Sequence, residues 1–152
     1  RLIMRVLLTA LLLSFAVVPI LADDDDDPVA GEWEKLQGEW KAVAAEIQGQ
    51  DVDDADVPEI SFEITQAGQV TAATPDGDVE ARMSLDLAHD PHRFDIEHTG
   101  GVFDNQRQYG IYRWDGEKLQ MCICSPGGTT QDRPQRFETR NTMNLMITFE
   151  KQ

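Results

Sequence analysis

The sequence predicts an all-β domain: about eight antiparallel strands joined by tight turns into an up-and-down barrel, with a short N-terminal helical turn. Two observations carry this. Turn signals recur at short intervals, at Gly68, Pro75-Asp76-Gly77, Asp90-Pro91, Gly100-Gly101, Asp115-Gly116 and Pro126-Gly127-Gly128. Between them lie short runs in which apolar and polar residues alternate, the pattern of a strand with one wet face. The only helical candidates are short, one around Glu32–Leu36 and one near Arg133–Phe137. Length fits a single domain, because 152 residues suffice for one core.

The chain opens with a segment that is not fold. Arg1 and Arg5 precede an apolar run from Val6 to Val18, and Ala22 offers a small residue for cleavage. Residues 1–22 are therefore expected to be a signal peptide, since the run is short for a membrane span. Its removal predicts an exported protein, periplasmic or extracellular, with no membrane attachment. Losing the two cations Arg1 and Arg5 takes the formal charge from −15 to −17. Residues 23–31 begin with five consecutive Asp, which repel one another and bury nothing; an acidic, disordered leader is expected. Bare Asp repeats also lack the spacing and turn glycines of a calcium loop. So acidic a surface repels phosphate backbones and excludes nucleic acid as a partner, while it suits a basic partner protein.

The domain proper is expected over residues 32–152. The first strand, 40–48, has two part-apolar faces: Trp40, Ala42 and Ala44 on one, Val43, Ala45 and Ile47 on the other. Either a bulge or coverage by the N-terminal turn accounts for this. Strands follow at 60–64, 69–73, 79–87, 94–97, 107–114, 119–123 and 145–149. Their alternation points Phe62, Met83, Leu85, Phe94 and Phe149 inward. These side chains are bulky, which favours an interior filled by the protein itself and hence an interaction role. Tyr109 and Ile111 share one face of their strand and Tyr112 and Trp114 the other, so only one pair lines an interior. Asp115-Gly116 is the strongest hairpin signal, matching a type I′ turn. Cys122 and Cys124 lie side by side on one face, a poor geometry for a mutual disulfide, and read as small apolar strand residues.

Gly38-Glu39-Trp40 stands at the start of the first strand. A Trp aimed inward there plugs one end of a closed sheet, and Gly38 lets the entering chain bend past its neighbours. This Gly-x-Trp resembles the lipocalin signature. "LQGEWKAVAAEIQG", "GIYRWDGEKLQMC", "PGGTTQDRPQRFET" and "LMITFEK" together resemble a family of small exported domains of unknown function, expanded in planctomycete bacteria. Its members carry LQGxWK, a GIYxxDGDxLxxC block, a Pro-Gly turn leading to Arg-Pro and Phe, and an apolar last strand. The resemblance runs from Glu34 to Lys151 and implies a lipocalin-like fold. It implies no activity, substrate or cofactor. The chain departs from the pattern at Cys124 and in the His-richer segment 86–98.

Candidate ligand-binding residues are Trp40, Tyr112, Arg133, Phe137 and Phe103. Arg133 and Phe137 lie between the last two strands, where a flap closes one barrel end. Arg133 there either stacks on Trp40 as a cation–π lid or binds a ligand carboxylate. Phe103, in a Gly-rich loop, either anchors a partner or folds back over the barrel end. His89 and His92 flank Pro91 and are the candidate metal ligands, though no third ligand accompanies them in sequence. No nucleophile elbow, phosphate loop, dinucleotide fingerprint or zinc-protease motif is present. The sequence therefore predicts a non-catalytic module without a cofactor, binding a small apolar ligand or a basic partner protein. The alternatives are an extracytoplasmic enzyme with a loop-built site and a structural component of the cell envelope.

Overall fold

The computed structural model describes residues 27–65 and 68–152. The expected signal peptide and the Asp run up to Asp26 lie outside the described residues. Residues 28–31, expected to belong to the disordered leader, lie instead in a helix, α1 (Pro28–Leu36). Asp27 caps it by accepting a hydrogen bond from the Val29 amide at 3.0 Å, and Pro28 occupies the first turn where its missing N–H costs nothing. No helix among the described residues is long and apolar enough to cross a membrane.

Nine strands follow among the described residues: β1 (Gly38–Ile47), β2 (Gln50–Asp51), β3 (Ser61–Ile64), β4 (Gln69–Thr74), β5 (Gly77–Asp86), β6 (His92–Gly101), β7 (Arg107–Asp115), β8 (Lys118–Ile123) and β9 (Leu145–Lys151). All pair antiparallel with their neighbours, and β9 returns to pair with β1. The result is the expected closed barrel of eight strands, with two-residue β2 a spur off the end of β1. β1 is shared: Gly38–Lys41 pair with β3, and Trp40–Ile47 pair with β9.

The two-faced character of β1 is a bulge. The register against β9 slips between Ala42 and Ala44, so Val43 is the extra residue. Trp40 and Ala42 are buried before it and Ala45 after it, while Ile47 is left 44% exposed. Gly38 takes φ 112°, a bend that favours glycine. A Cβ there would stand 2.9 Å from Cε of Lys151, so the close neighbour is a side chain. The turn between β7 and β8 also differs from expectation. Its central residues are Gly116 and Glu117, and only Gly116, at φ 59°, is left-handed, the pattern of a type II′ turn.

Two buried layers result. The barrel interior holds Trp40, Phe94, Tyr112, Leu119, Met121 and Phe149, with Phe62 and Leu85 packed against them. All five residues expected to point inward do so. The second layer lies outside the barrel, beneath the long connection 124–144. It buries Tyr109, Ile111, Cys122, Cys124 and Thr139. So Tyr112 and Trp114 face the interior, and Tyr109 and Ile111 face the connection. That connection carries no helix at Arg133–Phe137. Its one helical turn is a 3-10 turn at Thr130–Asp132, capped by Thr129, and Pro134 forces Arg133 into extended backbone at φ −57°, ψ 125°.

Candidate ligand-binding cavity

One end of the barrel is shut by α1. Leu36, the last residue of the helix, is fully buried, and its carbonyl accepts a hydrogen bond from Trp40 Nε1 at 2.8 Å. The Trp40 indole stacks near Phe62 and Trp114, with centroids 6.4 and 5.8 Å away. Glu32 turns inward from α1 and is 7% exposed. Its Oε1 accepts from Trp114 Nε1 at 2.6 Å and from the Tyr112 hydroxyl at 3.1 Å. These bonds satisfy the buried Tyr112 hydroxyl and the part-buried Trp114 indole N–H with one carboxylate oxygen. Burial, together with the charge of Glu32 and its hydrogen bond, pushes the Tyr112 phenol well above its ordinary range. The cation over Trp40 is Lys151, with Nζ 5.5 Å from the ring centre.

Arg133 therefore does not form the expected lid on Trp40. It lies outside the barrel over the Tyr109 ring, 5.2 Å from its centre. Its Nη1 donates to the carbonyls of Phe94 and Gly110, each at 2.9 Å, and its Nη2 pairs with Asp95. It clamps the connection onto β6 and β7. Phe137 lies beneath the Arg113 guanidinium, 4.2 Å from it. Trp40 serves the closed end and Arg133 the outer layer, while Tyr112 and Phe137 line one recess together with His92, which neither Trp40 nor Arg133 joins. His89 and His92 sit on the β5–β6 hairpin. His89 Nδ1 is 2.8 Å from Asp86 Oδ2, and His92 Nδ1 is 3.2 Å from the His89 carbonyl. The Cys122 thiol, buried under the connection, is pushed up to about 11 by desolvation, opposed by the Glu138 backbone and reinforced by Glu46.

The other end is open and is not filled. A cavity of about 380 Å³ runs from that mouth into the barrel. It exists because one wall is built of small residues: Val70 opposes Ala81 and Ala72 opposes Val79 across β4 and β5. Of the bulky inward residues that favoured a filled interior, Phe62, Met83, Phe94 and Phe149 line this cavity without filling it. The lining is almost wholly apolar. Asp76, at the β4–β5 turn, is its one carboxylate.

His98 and Gln108 supply the polar groups deeper in. His98 on β6 is 4% exposed. Its Nε2 lies 2.7 Å from Gln108 Oε1, and Gln108 Nε2 donates to the Cys124 carbonyl at 2.9 Å. A carbonyl only accepts, so this last bond fixes the amide and turns Oε1 toward His98. Nε2 of His98 must then be the protonated nitrogen, and in the neutral ring Nδ1 carries a lone pair. Nδ1 has no partner, alone among the buried side-chain polar atoms of the described residues. Phe103 covers the ring edge-on at 5.4 Å and lines the mouth. Of the two expected roles for Phe103, folding back over the barrel end is the one observed.

His98 was readable in principle. Phe94, Ile96 and His98 share a strand face by simple alternation, so an inward Phe94 places His98 inside as well. Gln108 shares the face of Tyr112 and Trp114 by the same alternation, but which face of that strand pointed inward was not legible. No protein-family model, no curated protein and no solved structure matches the chain.

Proposed function

We propose that the protein is an exported, non-catalytic binding module that holds a small apolar molecule in the open half of its barrel. Export follows from the N-terminal segment, and membership of the uncharacterised exported family from the sequence motifs. The cavity carries the binding reading. At about 380 Å³ it falls within the size range of small-molecule sites, and it combines an apolar wall with few polar groups, as such sites do. The lining holds a single carboxylate, so it lacks the carboxylate pair of glycoside chemistry.

Filling the cavity tests this. Ala72 faces it from β4, opposite Val79. A neutral naphthylamine dye is expected to bind the native protein one to one, with enhanced fluorescence. In Ala72→Phe, its affinity should fall by at least about tenfold, a loss of about 1.4 kcal/mol, with an unchanged far-ultraviolet spectrum. Equal affinity in the two proteins would place the dye, and the function, elsewhere.

A further inference from the structure

We infer that the ligand is an uncharged apolar molecule with one hydroxyl, an alcohol or a phenol, whose O–H donates to Nδ1 of His98. This rests on the cavity reading above and adds to it the chemistry of the head group. Two contacts hold the ring: Gln108, itself fixed by the Cys124 carbonyl, fixes Nε2, and Phe103 packs against the imidazole at a steep angle. Flipping it to satisfy Nδ1 would break the bond to Gln108. A buried acceptor left unpaired is destabilising, and a fold that orders its surroundings this closely leaves that acceptor for something else. A neutral ring offers Nδ1 as an acceptor, so the complementary group is a donor.

Charge selects among donors and against anions. A carboxylate head would require an imidazolium and would have to pass Asp76, on a chain of formal charge −15. An ammonium head would bring an unpaired charge into an apolar space, at high desolvation cost. A hydroxyl meets neither obstacle, and its apolar body occupies the space between the small residues of β4 and β5.

Three matched probes test the inference on the full chain: 2-naphthol, 2-methoxynaphthalene and 2-naphthoate. They share one ring system and differ in the head group. Naphthol is expected to bind about tenfold more tightly than methoxynaphthalene, the effect of one net hydrogen bond, with naphthoate the weakest. In the wild-type protein, the 15N resonance of His98 Nδ1 should move on adding naphthol and stay put with methoxynaphthalene. His98→Phe should erase the preference while methoxynaphthalene still binds. Equal affinities with an unmoved Nδ1 resonance would overturn the donor head and leave the cavity reading standing. Tightest binding by naphthoate would overturn it in favour of an anion. Binding by none of the three would overturn both readings.

Discussion

At the residue scale, the closed end turns on Glu32, one of 28 acids in the sequence. Nothing in its neighbourhood marks it, because its partners Tyr112 and Trp114 are 80 and 82 positions away. The indole at position 40 was legible by contrast, since Gly38-x-Trp40 carries its own local geometry. Glu32→Ala would leave the buried Tyr112 hydroxyl and the part-buried Trp114 N–H without an acceptor. It should cost about 2–4 kcal/mol, read as a lower urea midpoint with an unchanged slope. Glu32→Gln keeps an acceptor and removes the charge. The sign of the linked pH effect follows from Tyr112. Its folded-state pKa is raised, so the neutral phenol is favoured by the fold. That stabilisation is whole below the ordinary phenol value of about 10 and is lost as pH climbs above it. An alkaline absorbance titration should therefore show one of the two tyrosines ionising only as the chain unfolds. In Glu32→Gln the same phenol should ionise at lower pH. A wild-type protein that ionises both phenols near pH 10 while still folded would remove Glu32 from the role given it.

At the element scale, the strands were legible and the connection 124–144 was not. Alternation needs only neighbours in sequence, so Phe62, Met83 and Phe94 showed their faces directly. The connection has no period, and its position is set by distant partners. Arg133 reaches Phe94, Asp95 and Gly110, while Thr139 donates to Glu46 at 2.6 Å and accepts from the Gly49 amide at 2.8 Å. The bulge in β1 was half legible: composition showed that something was irregular, and only the pairing with β9 showed what. The Arg133 side chain is 9% exposed, and its removal strands two carbonyls. Arg133→Ala is expected to cost about 3 kcal/mol, and Arg133→Lys to recover only part, because an ammonium lacks the fork that reaches three acceptors. Affinity for a cavity probe should stay within about twofold, a few tenths of a kcal/mol, of wild type in both variants. Unchanged stability with lost affinity would instead make Arg133 a ligand-binding group.

At the scale of the whole molecule, strand number and turn spacing were enough to predict closure. The cavity was not legible, because a void is the small difference between barrel size and the summed volume of many side chains. Swapping one Ala for a larger residue anywhere on β4 or β5 changes it. Closure itself gives a sharp expectation. In two stacked sheets, losing one edge strand exposes one new edge and leaves the remaining strands paired. In this barrel β9 lies between β8 and β1, so its loss opens both partners at once. It also withdraws Ile147 and Phe149 from the interior and Lys151 from above Trp40. Removing two buried apolar side chains alone costs several kcal/mol, roughly 2–5 each, against a total stability of about 5–15 kcal/mol. A chain ending at Asn144 should therefore show no cooperative unfolding transition in urea and a collapsed amide spectrum. A truncated chain that still melted in one sharp step would mean that the other strands form a stable sheet without being joined into a ring.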